Sequence, residues 1–261
     1  MSLCLVSAFL DIGRENWSSF RRSTDQYFDN FLPYTKMSHD MIVFMDDKHI
    51  DRFTSLCKAS PQIKIIPINR ELMEKNIYAY QQLVKEREIM ESKKFKDLIS
   101  HRLMFPECSK PEYNIIQHSK IDFIAYVINN KQLNQAEYYA WTDFGYFQVP
   151  NRVPSKPLDL KKFDLDKINF QAMNDLNDKD RSILYTLMYA PERIGGFFYL
   201  GRADLLLKYQ TLYHEICQDF HRMLILDDDQ HVMMQCVFRR PELFKVWNLG
   251  AWHMSYKYFQ Q

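Results

Sequence analysis

The sequence predicts an α/β domain with a mixed, mostly parallel central sheet flanked by helices. Three observations carry that prediction. Short apolar, β-compatible runs alternate with longer amphipathic stretches along the whole chain. Several of those runs stop at a carboxylate or a glycine, as strands entering turns do. No internal repeat, low-complexity tract or clear linker divides the 261 residues, a length that suits one large domain.

Leu3 to Leu10 reads as a buried strand that ends at Asp11-Ile12-Gly13-Arg14. Trp17, Phe20, Tyr27, Phe28 and Phe31 then fit a helix over 17–31. Met41 to Met45 is a second buried strand, and helix-like sequence follows its Asp46-Asp47 end as far as Cys57. Ile63 to Ile68 is a third, where Pro67 demands a sheet edge or a bulge. Glu71 to Arg102 reads as one long charged helical region, and Asn114 to Ile128 as another helix. Glu137 to Trp141 is a strand that stops at Thr142-Asp143-Phe144-Gly145. Three prolines mark 149–162 as a loop. Gly195 to Leu200 reads as a strand, and Leu205 to Phe220 as a helix with one apolar face. Asp227-Asp228-Asp229-Gln230 opens a further helix, with acids at the end the macrodipole favours. Phe244 to Trp247 closes the series as a strand, before Gly250-Ala251-Trp252-His253.

Composition narrows the function classes. Lys and Arg number 34 against 33 Asp and Glu, so net charge does not steer the chain toward nucleic acid. Five scattered cysteines, with no CxxC pair, argue for free thiols in a reducing compartment and against a disulfide framework or a zinc site. The N-terminal residues lack a basic segment ahead of their short apolar run, and no stretch has the apolar length of a membrane span. A cytoplasmic protein is expected. There is no GxxxxGK[ST] loop, which counts against P-loop phosphoryl transfer, and no GxGxxG after the first strand, which counts against a Rossmann oxidoreductase.

In a parallel α/β sheet, ligands bind beyond the carboxyl ends of the strands. Asp11, Asp46/Asp47 and Asp143 stand at three such ends. Asp46/Asp47 read as turn and cap residues. Asp143 is the more informative position, because a single carboxylate leaves the apolar Tyr138-Tyr139-Ala140-Trp141 run into a glycine turn. Sugar transfer from a nucleotide diphosphate requires the departing phosphate charge to be neutralised. A hard divalent ion held by one or two carboxylates can do that. Nucleotide-sugar transferases often carry Asp-x-Asp at such a strand end, but here the second position is Gly145. Asp143 therefore reads as a ligand for metal, as a ribose contact, or as a turn cap.

Several blocks together resemble the HtrL/YibB family of bacterial proteins. They are Val6-Ser7-Ala8-Phe9-Leu10-Asp11-Ile12-Gly13-Arg14, Tyr113 with Ser119-Lys120-Ile121-Asp122, Trp141-Thr142-Asp143-Phe144-Gly145, Gly195-Gly196-Phe197-Phe198 and Asp228-Asp229-Gln230. The resemblance covers nearly the whole chain, and its most specific pieces are the N-terminal block and WTDFG. It implies a single GT-A-like, Rossmann-related domain over 1–261, with a nucleotide-binding half (1–145) and an acceptor-binding half (146–261). It also implies a glycosyltransferase of lipopolysaccharide or capsule assembly. The donor would be a nucleotide-sugar, a UDP-sugar in first place, and the acceptor a glycan or lipid-linked glycan. A lipid-linked acceptor would bring peripheral association with the inner face of the cytoplasmic membrane, through exposed aromatics or the basic Lys93–Lys96 face, unless that charge run is simply solvated.

The resemblance also implies roles. Phe9, Asp11, Gly13 and Arg14 would meet the nucleotide, with Arg14 near phosphate; alternatively Arg14 pairs with Asp11 or solvent. Asn114 and Lys120 would reach the diphosphate or ribose, unless Lys120 is a solvated helix residue. Asp143 and Gly145 complete the donor set. Gly195, Gly196 and Phe197 would meet the acceptor, or form a tight turn. Asp228 and Asp229 are the candidate general bases of an inverting transfer, with at least one of the 227–229 run acting as a helix cap. His253 would join Asp143 on Mn2+ or Mg2+, or be structural. The alternative class is a non-catalytic nucleotide-sugar or carbohydrate-binding protein of the same fold.

Overall fold

A computed structural model describes residues 1–261. One seven-stranded sheet organises the chain, in the order β3-β2-β1-β4-β6-β5-β7. The strands are β1 (Leu3–Phe9), β2 (Asp40–Asp46), β3 (Ile63–Ile68), β4 (Tyr138–Thr142), β5 (Ile168–Ala172), β6 (Ile194–Arg202) and β7 (Phe244–Asn248). All neighbours pair parallel except β6, which runs antiparallel to both β4 and β5. This is the mixed, mostly parallel sheet the sequence predicts. The central strands are buried on both faces, which is why β1 and β4 read as unbroken apolar runs. β3 lies at the sheet edge, one of the two placements that Pro67 demands.

Helices cover both faces. On one face lie α1 (Thr24–Phe31), α2 (Ile50–Leu56) and the C-terminal α13 (Ser255–Phe259), around an aromatic core that includes Phe31, Tyr34, Phe53, Phe144 and Tyr256. On the other lie α9 (Lys120–Asn129), α11 (Ala203–Arg222) and α12 (Asp229–Arg239), packed on Phe44, Trp141, Phe170 and Tyr199. The 17–31 helix of the sequence reading begins only at Thr24. Ser23 caps it there, accepting from Gln26 N–H while the Gln26 side chain accepts from Ser23 N–H. Ser23→Ala should lower stability by about 1 kcal/mol in chemical denaturation.

The single long helix expected over 71–102 is instead four: α3 (Arg70–Asn76), α4 (Tyr78–Gln81), α5 (Leu83–Glu91) and α6 (Lys93–Leu98). Ile77 is extended between α3 and α4, and the Tyr78 N–H that this frees donates to Asp122. Ser92 is extended and caps α6. The 114–128 helix is likewise split, into α8 (Pro111–His118, after the short α7, Pro106–Ser109) and α9. β5 was not legible. Its alternate residues Asn169 and Gln171 are polar yet buried, and each is satisfied by hydrogen bonds. Between β5 and β6 stands α10 (Ile183–Tyr189). No helix is long and apolar enough to cross a membrane. All five cysteines are free and buried.

Candidate active site at the switch point of the sheet

The chain winds outward from β1 through β2 to β3, then returns to add β4 on the other side of β1. A crevice opens at the carboxyl end of such a reversal. Here it is a cleft of about 290 Å³ lined by Phe9, Asp11, Arg14, Lys120, Asp143, Gly145, Gly196, Phe197, Asp229 and His253, among others. Those ten come from the candidates named in the sequence. The other four do not line it. Gly13 sits in a left-handed turn beside it. Asn114 is fully buried and donates to the Glu107 carbonyl. At Gly195 a Cβ would run into the Phe197 ring. Asp228 caps α12, accepting from Gln230 N–H at 3.1 Å and His231 N–H at 3.4 Å.

The floor of the cleft is an ion cluster drawn from four elements. Asp143 follows β4 and is tied to β6 by its N–H, which donates to the Phe197 carbonyl. Its Oδ1 accepts from Trp141 Nε1 at 2.7 Å and lies 3.1 Å from Lys120 Nζ. Lys120 also donates to Asp229 Oδ2 at 2.7 Å and to the Gly196 carbonyl at 2.9 Å. Lys120 is the first residue of α9 and Asp229 the first of α12. A carboxylate suits a helix N-terminus, whereas a lysine there opposes the dipole. Lys120 is tolerated because two carboxylates face it. Burial opposes its charge, yet Asp143 and Asp229 hold its pKa above the ordinary lysine value. Burial raises the pKa of Asp229 against the pull of Lys120.

Gly196 makes this cluster sterically feasible, because a Cβ there would overlap the Asp229 carboxylate. Its backbone is ordinary strand, so the requirement is space and not φ.

The nucleotide-side candidates are fixed by neighbours. Asp11 Oδ1 accepts from Gly13 N–H at 2.9 Å, and Oδ2 lies 3.3 Å from His49 Nε2. Burial pushes the Asp11 carboxyl up, but those two partners outweigh it and hold it below its usual range. Arg14 pairs with neither Asp11 nor bare solvent. It donates to Tyr27 OH at 2.8 Å and to the Phe20 carbonyl at 2.9 Å, with its guanidinium 5.4 Å from the Trp17 ring.

Several lining residues were not among the site candidates: Arg22, Tyr27, Tyr113, Gln148, Gln230 and Trp252. Arg22 donates to Gln148 Oε1 at 2.9 Å, and Gln148 Nε2 lies 3.3 Å from His253 Nε2. His253 has a left-handed backbone, φ 55°, which a β-carbon makes costly. Gln171 holds the segment in place, accepting from Met254 and Ser255 N–H. Burial pushes the His253 pKa down to about 4, so the ring is neutral at physiological pH.

Asp143 and His253 do not form part of a converging group of three ligands for a divalent ion. Asp143 Oδ1 is already bonded to Lys120 and Trp141. The one group of three His, Cys, Asp or Glu side chains with converging ligand atoms is Asp227, Asp228 and His231, and it lies elsewhere. That group is internally neutralised. Asp227 pairs with His231 Nδ1 at 2.6 Å and with Arg102 at 3.2 Å. Burial pushes the Asp228 carboxyl up to about 6. For His231, burial lowers the pKa but the Asp227 carboxylate outweighs it and raises it to about 9. Its folded-state pKa therefore lies above the unfolded 6.5, so the stabilisation is complete below 6.5 and is lost as pH rises through about 9. Melting temperature is expected to fall across that window, and His231→Gln to flatten the fall.

Comparison with known proteins agrees with the sequence blocks. The family described as "Bacterial protein of unknown function (HtrL_YibB)" matches residues 1–261. Protein HtrL of Escherichia coli (strain K12) is 26% identical over 268 residues, covering 95% of this chain and 88% of HtrL. Among solved structures, apo mouse xyloside xylosyltransferase 1 aligns at a TM-score of 0.38 and 10% identity, over 94% of this chain and 84% of that one.

Proposed function

The chain belongs to the HtrL/YibB family of bacterial proteins, and we propose that it is a glycosyltransferase moving a sugar from a nucleotide-sugar to an acceptor hydroxyl. One observation carries the reading. Two carboxylates from distant parts of the sequence, Asp143 and Asp229, meet on one buried lysine at the floor of a cleft at the sheet's switch point. That is where an open α/β sheet binds its ligand.

In this reading the β1 end (Phe9 to Arg14) receives the nucleotide. The acceptor lies toward Gly196, Phe197 and Trp252. The acceptor oxygen attacks the anomeric carbon, and the bond from that carbon to the phosphate oxygen breaks. The electron pair leaves with the nucleotide. Asp229 takes the hydroxyl proton, and its raised pKa suits a base that must hold a proton transiently. Asp143 orients sugar or ribose hydroxyls. Inversion follows from this single displacement. Asp228 is engaged in capping α12.

The donor is read as a UDP-sugar and the acceptor as a growing surface glycan, on the strength of the family resemblance. A thermal-shift screen of UDP-, GDP-, CMP- and dTDP-sugars tests donor binding. At least one donor should raise the melting temperature. No shift from any of them would remove the reading. A shift without transfer or donor hydrolysis would favour the non-catalytic binding class.

A further inference from the structure

Lys120 sits where a bridging cation would sit, and it is fully engaged. An ammonium has three N–H donors. Three acceptors surround this one: Gly196 O at 2.9 Å, Asp229 Oδ2 at 2.7 Å and Asp143 Oδ1 at 3.1 Å. Its side chain is 6% exposed. A divalent ion between Asp143 and Asp229 would have to expel the ammonium, because two cations sharing the same oxygens repel strongly in a buried site. Gly196 adds a second constraint, since its missing Cβ lets the Asp229 carboxylate close on the lysine.

The cleft holds two further cations, and neither has a carboxylate partner. Arg14 donates to Tyr27 OH and the Phe20 carbonyl. Arg22 donates one nitrogen to Gln148 and lies 5.1 Å from the Tyr27 ring. Their charge is available to an anion, and guanidinium geometry suits phosphate.

We propose that this cleft works without a divalent cation: Lys120 is the built-in counter-ion of Asp143 and Asp229, and Arg22, beside Arg14, meets the departing phosphate. The Arg22 part rests on the glycosyl-transfer reading; the Lys120 part stands on the ion cluster alone. As the bond from the anomeric carbon to the phosphate oxygen breaks, the electron pair goes to that oxygen and the guanidinium groups face the new charge.

Mn2+ titration followed by electron paramagnetic resonance tests the first part on the full chain, with and without UDP. Wild type should leave the free Mn2+ signal undiminished beyond what UDP itself removes. Uptake of one Mn2+ per chain, abolished by Asp143→Asn, would overturn the proposal. Lys120→Met strips the counter-ion and should create a Mn2+ site on the two carboxylates; a folded Lys120→Met that takes up none overturns the counter-ion role. If that variant does not fold, the wild-type titration decides. Calorimetry of UDP and GDP tests the second part. Affinity should agree within about twofold between EDTA and Mn2+ buffers, and Arg22→Ala should weaken the diphosphate about tenfold while leaving the nucleoside unchanged. Binding only with Mn2+, or diphosphate affinity unchanged by Arg22→Ala, contradicts it. Binding in neither buffer refutes the transferase reading and with it the Arg22 role, while the Mn2+ signal still decides Lys120.

Discussion

Asp229→Asn is expected to cut the rate of sugar transfer by about 10²–10⁴-fold, the usual contribution of a positioned general base. The amide has almost the same shape as the carboxylate, so its oxygen can still accept from Lys120. It cannot take a proton from an acceptor hydroxyl. Donor affinity should change far less than the rate, because the proposed function puts the nucleotide toward the β1 end of the cleft. Asp228→Asn provides the control. Asp228 does not line the cleft, and its carboxylate is committed to Gln230 and His231. That variant should affect stability more than rate. The comparison is made by initial rates at saturating donor. Equal rates for wild type and Asp229→Asn would exclude Asp229 as the base.

Gly196→Ala should be nearly as damaging, for a different reason. The added methyl overlaps the Asp229 carboxylate, and backbone conformation gives no further penalty. Either β6 shifts or the carboxylate leaves Lys120. Overpacking of this kind costs about 1–3 kcal/mol, and displacement of the base removes activity with it. Denaturation and initial rates on the same preparation would show both losses. An alanine variant of full activity would mean that Asp229 need not stand against β6.

The fold was legible where burial imposes an unbroken apolar run, as in β1, β2 and β4. Pro67 announced the edge strand. Legibility failed where polar residues are buried with partners. Asn169 and Gln171 hide β5 because nothing local says that Trp247, Ala251 and Ser255 will satisfy them. It failed again where a helix stops without glycine or proline. Ile77 and Ser92 end helices because tertiary or capping partners take the freed N–H groups.

The site divides in the same way. Strand-end position was enough to pick out Asp11 and Asp143. The acidic run showed that a helix begins near 227–229, but not which carboxylate caps and which faces the cleft. Lys120 was legible as a residue and not as a strut, since its partners come from β4, β6 and α12. Arg22 lay inside a stretch whose aromatic spacing mimics a helix. Ser23 starts the helix one residue later and leaves Arg22 in the loop that reaches Gln148. Only packing reveals that contact.

The most direct test is release of free nucleotide from a panel of nucleotide-sugars, with wild type and Asp229→Asn side by side. Glycosyltransferase chemistry predicts that wild type releases nucleotide from at least one donor, to water or to an added glycan acceptor, and that Asp229→Asn reduces the release by two orders of magnitude or more, in keeping with the loss of a general base of about 10²–10⁴-fold. Absence of release from every donor, or equal release by both proteins, would contradict it.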